Sequence, residues 1–242
     1  MWIVLALLSA CGLGIYDVLR KYSLKQNAVL PVLLCSTIAS SIMMLPLLIC
    51  SRTGIIETSS WLHVHAIPAD MHLLLVCKAA IVLGSWTFVY YGLKLLPLSI
   101  VSPIRATAPI WTLIGALIIF SERPNGIQWI GLIVTLAFFF LFSFAGKREG
   151  INFKANKWVW FVIVGTLIGS CSALFDKYLI NSVGMPRMSI LCYYSFYQVL
   201  LNIPMLFILW YPVRKTEVFN WKWTIPMIGV MIIIADFLYY GA

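Results

Sequence analysis

Asp236 stands in an apolar run, 223–242, that contains no other charged residue. It lies about 20 Å into that run, past the middle of a hydrocarbon core about 30 Å thick. So short a side chain cannot reach water from there. Desolvation disfavours a buried carboxylate unless a cation offsets it, so Asp236 must face a cavity, meet a cation or hold a proton. Ionisable groups at such depth are candidate functional positions for that reason. We expect Asp236 to orient a substrate or couple to a proton, with Lys78 and Arg105 as the available cations.

The surroundings of Asp236 are written twice. Phe88-Val-Tyr-Tyr-Gly-Leu93 returns as Phe237-Leu-Tyr-Tyr-Gly-Ala242, and each copy follows an apolar run of helix length. Lys21-Tyr22 and Lys177-Tyr178 form a second echo, each followed by a Cys (Cys35, Cys192) and a Pro (Pro46, Pro204). In this register Thr87 answers Asp236, Tyr91 answers Tyr240 and Tyr90 answers Tyr239. Four-residue spacing puts Thr87 and Tyr91 on one face of their helix, as it does Asp236 and Tyr240. Trp86 and Tyr90 flank that face and could stack on a substrate. Lys78 and Ser85 point roughly the opposite way, and the Thr87/Tyr91 face is the one expected to line a cavity. Lys78 and Arg105 lie only about 10 Å from their helix starts, within reach of the interface by snorkelling. Interface anchoring is therefore the first expectation for both. Asp17 is expected to pair with Lys21, four residues on.

Other chemistry finds little footing. His63, His65, His72 and Asp70 share one loop that has no regular pattern to fix metal ligands. The six cysteines form no C-x-x-C pair, and Walker, G-x-S-x-G and H-E-x-x-H sequences are absent. No metal and no cofactor are implied. Net charge is +9, but the basic residues sit at helix ends and in short loops, which argues for membrane flanks and against nucleic acid.

The elements that position these residues follow from composition. With 62% apolar and 10% charged residues and a mean hydropathy of +0.97, the chain has far too little charge for a soluble domain, which carries about 25%. It reads as an all-α polytopic membrane protein. Runs near 2–20, 29–50, 72–93, 97–120, 127–145, 158–180, 188–211 and 223–242 predict about eight spanning helices. Pro103 and Pro109 predict a kink or a break in the fourth. Arg20, Lys21, Lys25, Lys94, Lys147, Arg148, Lys154, Lys157, Arg214, Lys215 and Lys222 fall on one side, against Arg52, Arg123, Lys177 and Arg187 on the other, so the positive-inside rule places the amino terminus outside the cytoplasm. Small residues at Ala6, Ala10 and Gly14, at Gly165, Gly169 and Ala173, at Ala80 and Gly84, and at Gly229 predict close helix packing.

The repeat divides the chain into a first half, 1–145 with five helices, a linker, 146–157, and a second half, 158–242 with three. Five is odd, so the second half enters the membrane inverted. The second copy stops where the first continues for two more helices. The chain is therefore expected to be part of a ten-helix protein.

The stretch Pro97-Leu-Ser-Ile-Val-Ser-Pro-Ile-Arg-Ala-Thr-Ala-Pro-Ile-Trp-Thr-Leu-Ile-Gly-Ala-Leu-Ile-Ile-Phe-Ser-Glu-Arg-Pro124, followed by Gln128-Trp-Ile-Gly131, resembles the helix 4 to helix 5 signature of EamA-type carriers in the drug/metabolite transporter superfamily. Lys21 falls where that pattern often has a Lys, and Arg105 departs from its apolar helix 4. The resemblance implies ten-helix inverted-repeat exporters of small metabolites, amino acids or drugs, working by alternating access in a bacterial inner (plasma) membrane and often driven by protons. The solute would bind near the midplane where helices 1, 3, 4, 6 and 8 converge. A non-transporting membrane sensor or assembly protein, or a lipid-modifying membrane enzyme, are the competing readings. The former would more often carry a soluble domain, and the latter a His/Asp or Ser/His constellation at a helix end.

Overall fold

The structure is a computed structural model that describes residues 2–146 and 156–240. Most of the expected linker lies outside the described residues, as does the side chain of Tyr240. The described residues form nine α-helices: α1 (Trp2–Leu24), α2 (Val29–Arg52), α3 (Ala69–Leu95), α4 (Leu98–Arg105), α5 (Ala108–Ile119), α6 (Gly126–Gly146), α7 (Lys157–Lys177), α8 (Arg187–Met205) and α9 (Thr224–Tyr240). A π-helical turn extends α7 over Tyr178–Ser182, and another extends α8 over Leu206–Trp210.

Among the described residues, five spans are long and apolar enough to cross a membrane: Val29–Arg52, Ala69–Leu95, Leu98–Ile119, Lys157–Ser182 and Arg187–Val213. Gly126–Ala137 and Thr224–Tyr239 are shorter apolar stretches. The span Leu98–Ile119 is α4 and α5 taken together, so the nine helices make eight helical segments, each ending within about a turn of its sequence expectation, of which five have the length and apolarity to cross.

The fourth segment is broken, as its prolines allow. Pro103 and Pro109 have no N–H to return to the preceding turn. The chain leaves α4 at Ala106 and restarts at Ala108, with Pro109 in the first turn of α5. Thr107 Oγ donates to the Ile104 carbonyl at 2.7 Å, and the Trp111 indole donates to Thr107 Oγ at 3.2 Å. Side chains thus take up part of the hydrogen bonding that the broken backbone gives up.

The helices pack as two compact units, residues 1–83 with 179–242, and residues 84–178. The units are defined by contact, the expected halves by sequence repetition, and α3 contributes to both units.

In the first unit α9 packs against α1 and α2, and α2 also against α8. Lipid supplies no hydrophobic drive between helices, so close approach and hydroxyl bonds carry the association. Ser9 Oγ donates to the Ala235 carbonyl at 2.8 Å, Ser40 Oγ to Gly229 at 3.1 Å and Ser41 Oγ to Ser195 at 2.8 Å. At Gly229 a Cβ would strike the Ser36 carbonyl and lie 2.8 Å from the Ser40 amide.

The second unit uses the same means. Ser85 Oγ donates to the Gly165 carbonyl at 2.7 Å, and a Cβ on Gly165 would meet Val89 at 2.8 Å. Gly169 would meet Ser85 Oγ at 3.0 Å. Gly14 and Gly84 behave otherwise, since among the described residues a Cβ on either meets nothing within 4 Å. Their small size is not explained by close packing here.

Candidate functional site

Asp236 is positioned by α9, which Ser9 holds at the neighbouring Ala235 carbonyl. The Tyr194 hydroxyl on α8 donates to Asp236 Oδ2 at 3.3 Å. The Lys78 ammonium lies over the Tyr194 ring, 4.8 Å from its centroid. Acid, phenol and amine, from three helices, thus form one set inside the first unit. Lys78 is 3% exposed, Tyr194 6% and Asp236 half-buried.

Snorkelling is therefore the wrong reading of Lys78. Helix α3 begins at Ala69, earlier than the apolar run suggests, so Lys78 sits about 14 Å along it. At that depth the ammonium turns inward to an aromatic face, where a desolvated cation gains about 2 kcal/mol. Arg105 is half-buried in the second unit, as the last residue of α4. There its charge complements the negative end of the helix dipole.

The Thr87/Tyr91 face belongs to the second unit. Tyr91 stacks on Trp158 with ring centroids 6.4 Å apart and planes 15° apart, and Phe88 meets Phe161 edge-on at 5.2 Å. Trp86 and Thr87 are half-buried, while Tyr90 is fully buried. Tyr90 is therefore a core residue in this conformation, whereas its repeat partner Tyr239 is 66% exposed.

Two polar features escaped the sequence reading. Tyr194, Gln198 and Asn202 recur every four residues on α8; that spacing was the available signal. Gln198 and Asn202 are 2% and 0% exposed, and Gln198 Nε2 and both polar atoms of the Asn202 amide have no hydrogen-bond partner among the described residues. Arg20, counted as a membrane-flanking charge, is 1% exposed; it pairs with Asp17 at 3.0 Å and lies over the Tyr16 ring at 4.7 Å. Asp17 thus takes a partner three residues on, in addition to whatever Lys21 offers.

The expected loop is shorter than the sequence suggested, since Asp70 and His72 lie in the first turn of α3 and only His63 and His65 precede it. His72 Nδ1 meets the Tyr197 hydroxyl at 2.7 Å, whereas the His63 and His65 rings stand edge to face at 4.7 Å. Among the described residues no three His, Cys, Asp or Glu side chains gather in a way that could hold a metal.

Five membrane-length apolar spans among the described residues, with a half-buried acid and buried amine and amide groups inside the first unit, define a polytopic membrane protein. The profile of the EamA-like transporter family matches residues 1–144, more than half of the chain. The chain belongs to the EamA-like transporter family, and so to an integral membrane class that carries small molecules across a lipid bilayer. No curated protein sequence matches it.

Proposed function

We propose that the protein is a proton-coupled exporter of a small metabolite, amino acid or drug in a bacterial inner membrane. It works by alternating access between two inverted halves. The Lys78–Tyr194–Asp236 set is the observation that carries this reading. A carboxylate that meets a phenol at 3.3 Å, with a buried ammonium over the ring of that phenol, can hold two arrangements. Charged, it is stabilised by the phenol's hydrogen bond and by the amine's field. Protonated, it needs neither and releases α8 and α3 from α9. Proton loading from one side and unloading to the other then biases which arrangement holds, which is what coupling requires. Thr87, Tyr91 and Trp86, half-buried in the second unit, remain our substrate-facing residues there. Arg105, at the end of a broken helix, suits an anionic substrate group.

The test is transport by the protein in vesicles, measured against pH with a metabolite panel. Asp236→Asn is expected to abolish the proton-driven component while leaving substrate exchange at least partly intact. Tyr194→Phe, which keeps the ring under Lys78 and removes the hydroxyl, is expected to shift the pH dependence without abolishing transport. An Asn variant with unchanged rate and unchanged pH dependence would reduce Asp236 to a tolerated buried acid.

A further inference from the structure

One end of the first unit collects positive charge. The turn between α1 and α2 and the connection before α9 meet there, joined by Asn27 and Asn220. The Ala28 amide also donates to the Val218 carbonyl at 3.2 Å. These loops, with the helix ends that carry them, hold Arg20, Lys21, Lys25, Arg214, Lys215 and Lys222. Against these six cations stand two acids, Asp17 and Glu217, so four positive charges are left over however the pairs are drawn. The opposite end of the unit is balanced. Its loop and helix starts carry Arg52 and Arg187 against Glu57 and Asp70, beside the three histidines.

The fold presses these charges together. Lys222, from one loop, donates to the Lys25 carbonyl on the other at 2.8 Å and lies 5.1 Å from the Tyr22 ring centroid. Burial, and then the charge of Lys25, hold the Lys222 ammonium below the usual lysine range. The neighbouring charge that Lys222 feels is thus a repulsive one. Lys25, Arg214 and Lys215 are exposed, open to a molecule arriving from the headgroup layer.

Aromatic rings stand beside the charges. Tyr22, Trp221 and Trp223 are exposed, and the two indoles meet edge-on at 6.1 Å. Exposed indole and phenol rings at helix ends sit at headgroup level in a bilayer. Phosphate groups lie at the same depth, which favours a lipid over a soluble acidic partner.

We propose that this face is a binding surface for anionic phospholipid of the surrounding leaflet. The headgroup takes Lys25, Arg214 and Lys215, while Trp221 and Trp223 pack on the glycerol and upper acyl chains. The leftover charge sets the preference, because a zwitterionic headgroup brings its own cation and an anionic one does not. A bound anion also offsets the repulsion between Lys25 and Lys222, so it stabilises the meeting of the two loops. The inference concerns lipid binding alone and stands or falls apart from proton coupling.

The experiment places the protein in nanodiscs of phosphatidylcholine, alone or mixed in equal parts with phosphatidylglycerol. Retained lipid is read by native mass spectrometry, and the thermal midpoint in parallel. Phosphatidylglycerol is expected to be retained in preference to phosphatidylcholine and to raise the midpoint, with both effects shrinking as salt is added. Lys25→Gln and Lys215→Gln are each expected to lower the preference about fivefold, the factor that 1 kcal/mol per basic side chain at an anionic surface represents. Trp223→Ala should weaken retention of both lipids alike, and Arg187→Gln, at the balanced end, should leave the preference unchanged. Equal retention of the two lipids overturns the proposal and leaves the charge to a soluble acidic partner. An unchanged preference in the double lysine variant overturns it too, provided that variant melts like the wild type in phosphatidylcholine. Should it melt lower, the wild type alone decides, since a preference indifferent to salt also rules the proposal out.

Discussion

Asn202 shows what a single buried residue costs in lipid. Its amide is fully enclosed and neither polar atom meets a partner among the described residues, an arrangement that costs about 1–3 kcal/mol per unmet group. Replacing it with an apolar residue of similar size removes that cost. Asn202→Leu is therefore expected to hold or raise the thermal midpoint in detergent. Ser41→Ala, which deletes the bond to Ser195, should lower it. A fall of several degrees in the Leu variant would mean that the amide is already satisfied in the native fold. If the Leu variant is stable and no longer transports, the amide is kept for the working cycle. Asp236 was legible at this scale because one charge in a long apolar run is conspicuous. Its partner was not, since Tyr194 lies 42 residues away and tyrosines are too frequent here to single one out.

Between elements, the decisive contact is α9 on α2. The Gly229 backbone lies where a Cβ would collide with the Ser36 carbonyl and crowd Ala39 and the Ser40 amide. Backbone atoms cannot rotate aside, so Gly229→Ala must separate the helices and break the Ser40 bond to the Gly229 carbonyl. A loss of about 1–3 kcal/mol or more is expected. Gly14→Ala, on a face with nothing within 4 Å, should be neutral or gain about 0.5–1 kcal/mol from helix propensity. Equal losses at both positions, read by thermal unfolding, would sink this account. The helices themselves were legible, because a run of some twenty apolar residues needs no partner to be recognised. Which small residues lie at contacts was not. Spacing by four marks a face without saying what that face meets, and so Gly165 and Gly14 looked alike in the sequence.

For the molecule as a whole, one end of the first unit is closed by a polar clasp. Asn27 donates to the Ser23 and Asn220 carbonyls at 3.1 and 2.7 Å, and its oxygen accepts from the Ala28 and Asn220 amides at 2.9 Å each. Lys222 donates to the carbonyls of Tyr22 and Lys25 at 3.0 and 2.8 Å, which caps α1. Burial, and then the charge of Lys25, hold the Lys222 ammonium below the usual lysine range. A base lowered in the folded state binds fewer protons folded than unfolded. Its contribution to stability therefore rises with pH over the interval below its ordinary value of 10.5. Measured against Lys222→Gln, the wild type should gain in thermal midpoint as pH climbs through that interval; a relative loss would contradict it. Asn27→Ala, which strands several of these groups, is expected to cost about 1–3 kcal/mol at any pH. Nothing in the sequence pointed to the clasp, because asparagines 193 residues apart carry no pattern that joins them.

The same clasp sets which peptide bonds a protease can use. Arg214 and Lys215 stand exposed in the loop before α9, while the Lys222 side chain is occupied by the carbonyls at the end of α1. Trypsin needs the basic side chain extended into its own pocket, so cleavage should come quickly after Arg214 and Lys215 and slowly after Lys222. In Asn27→Ala the third cut should catch up with the first two. In sealed vesicles the fast cuts also report which face of the membrane carries this loop.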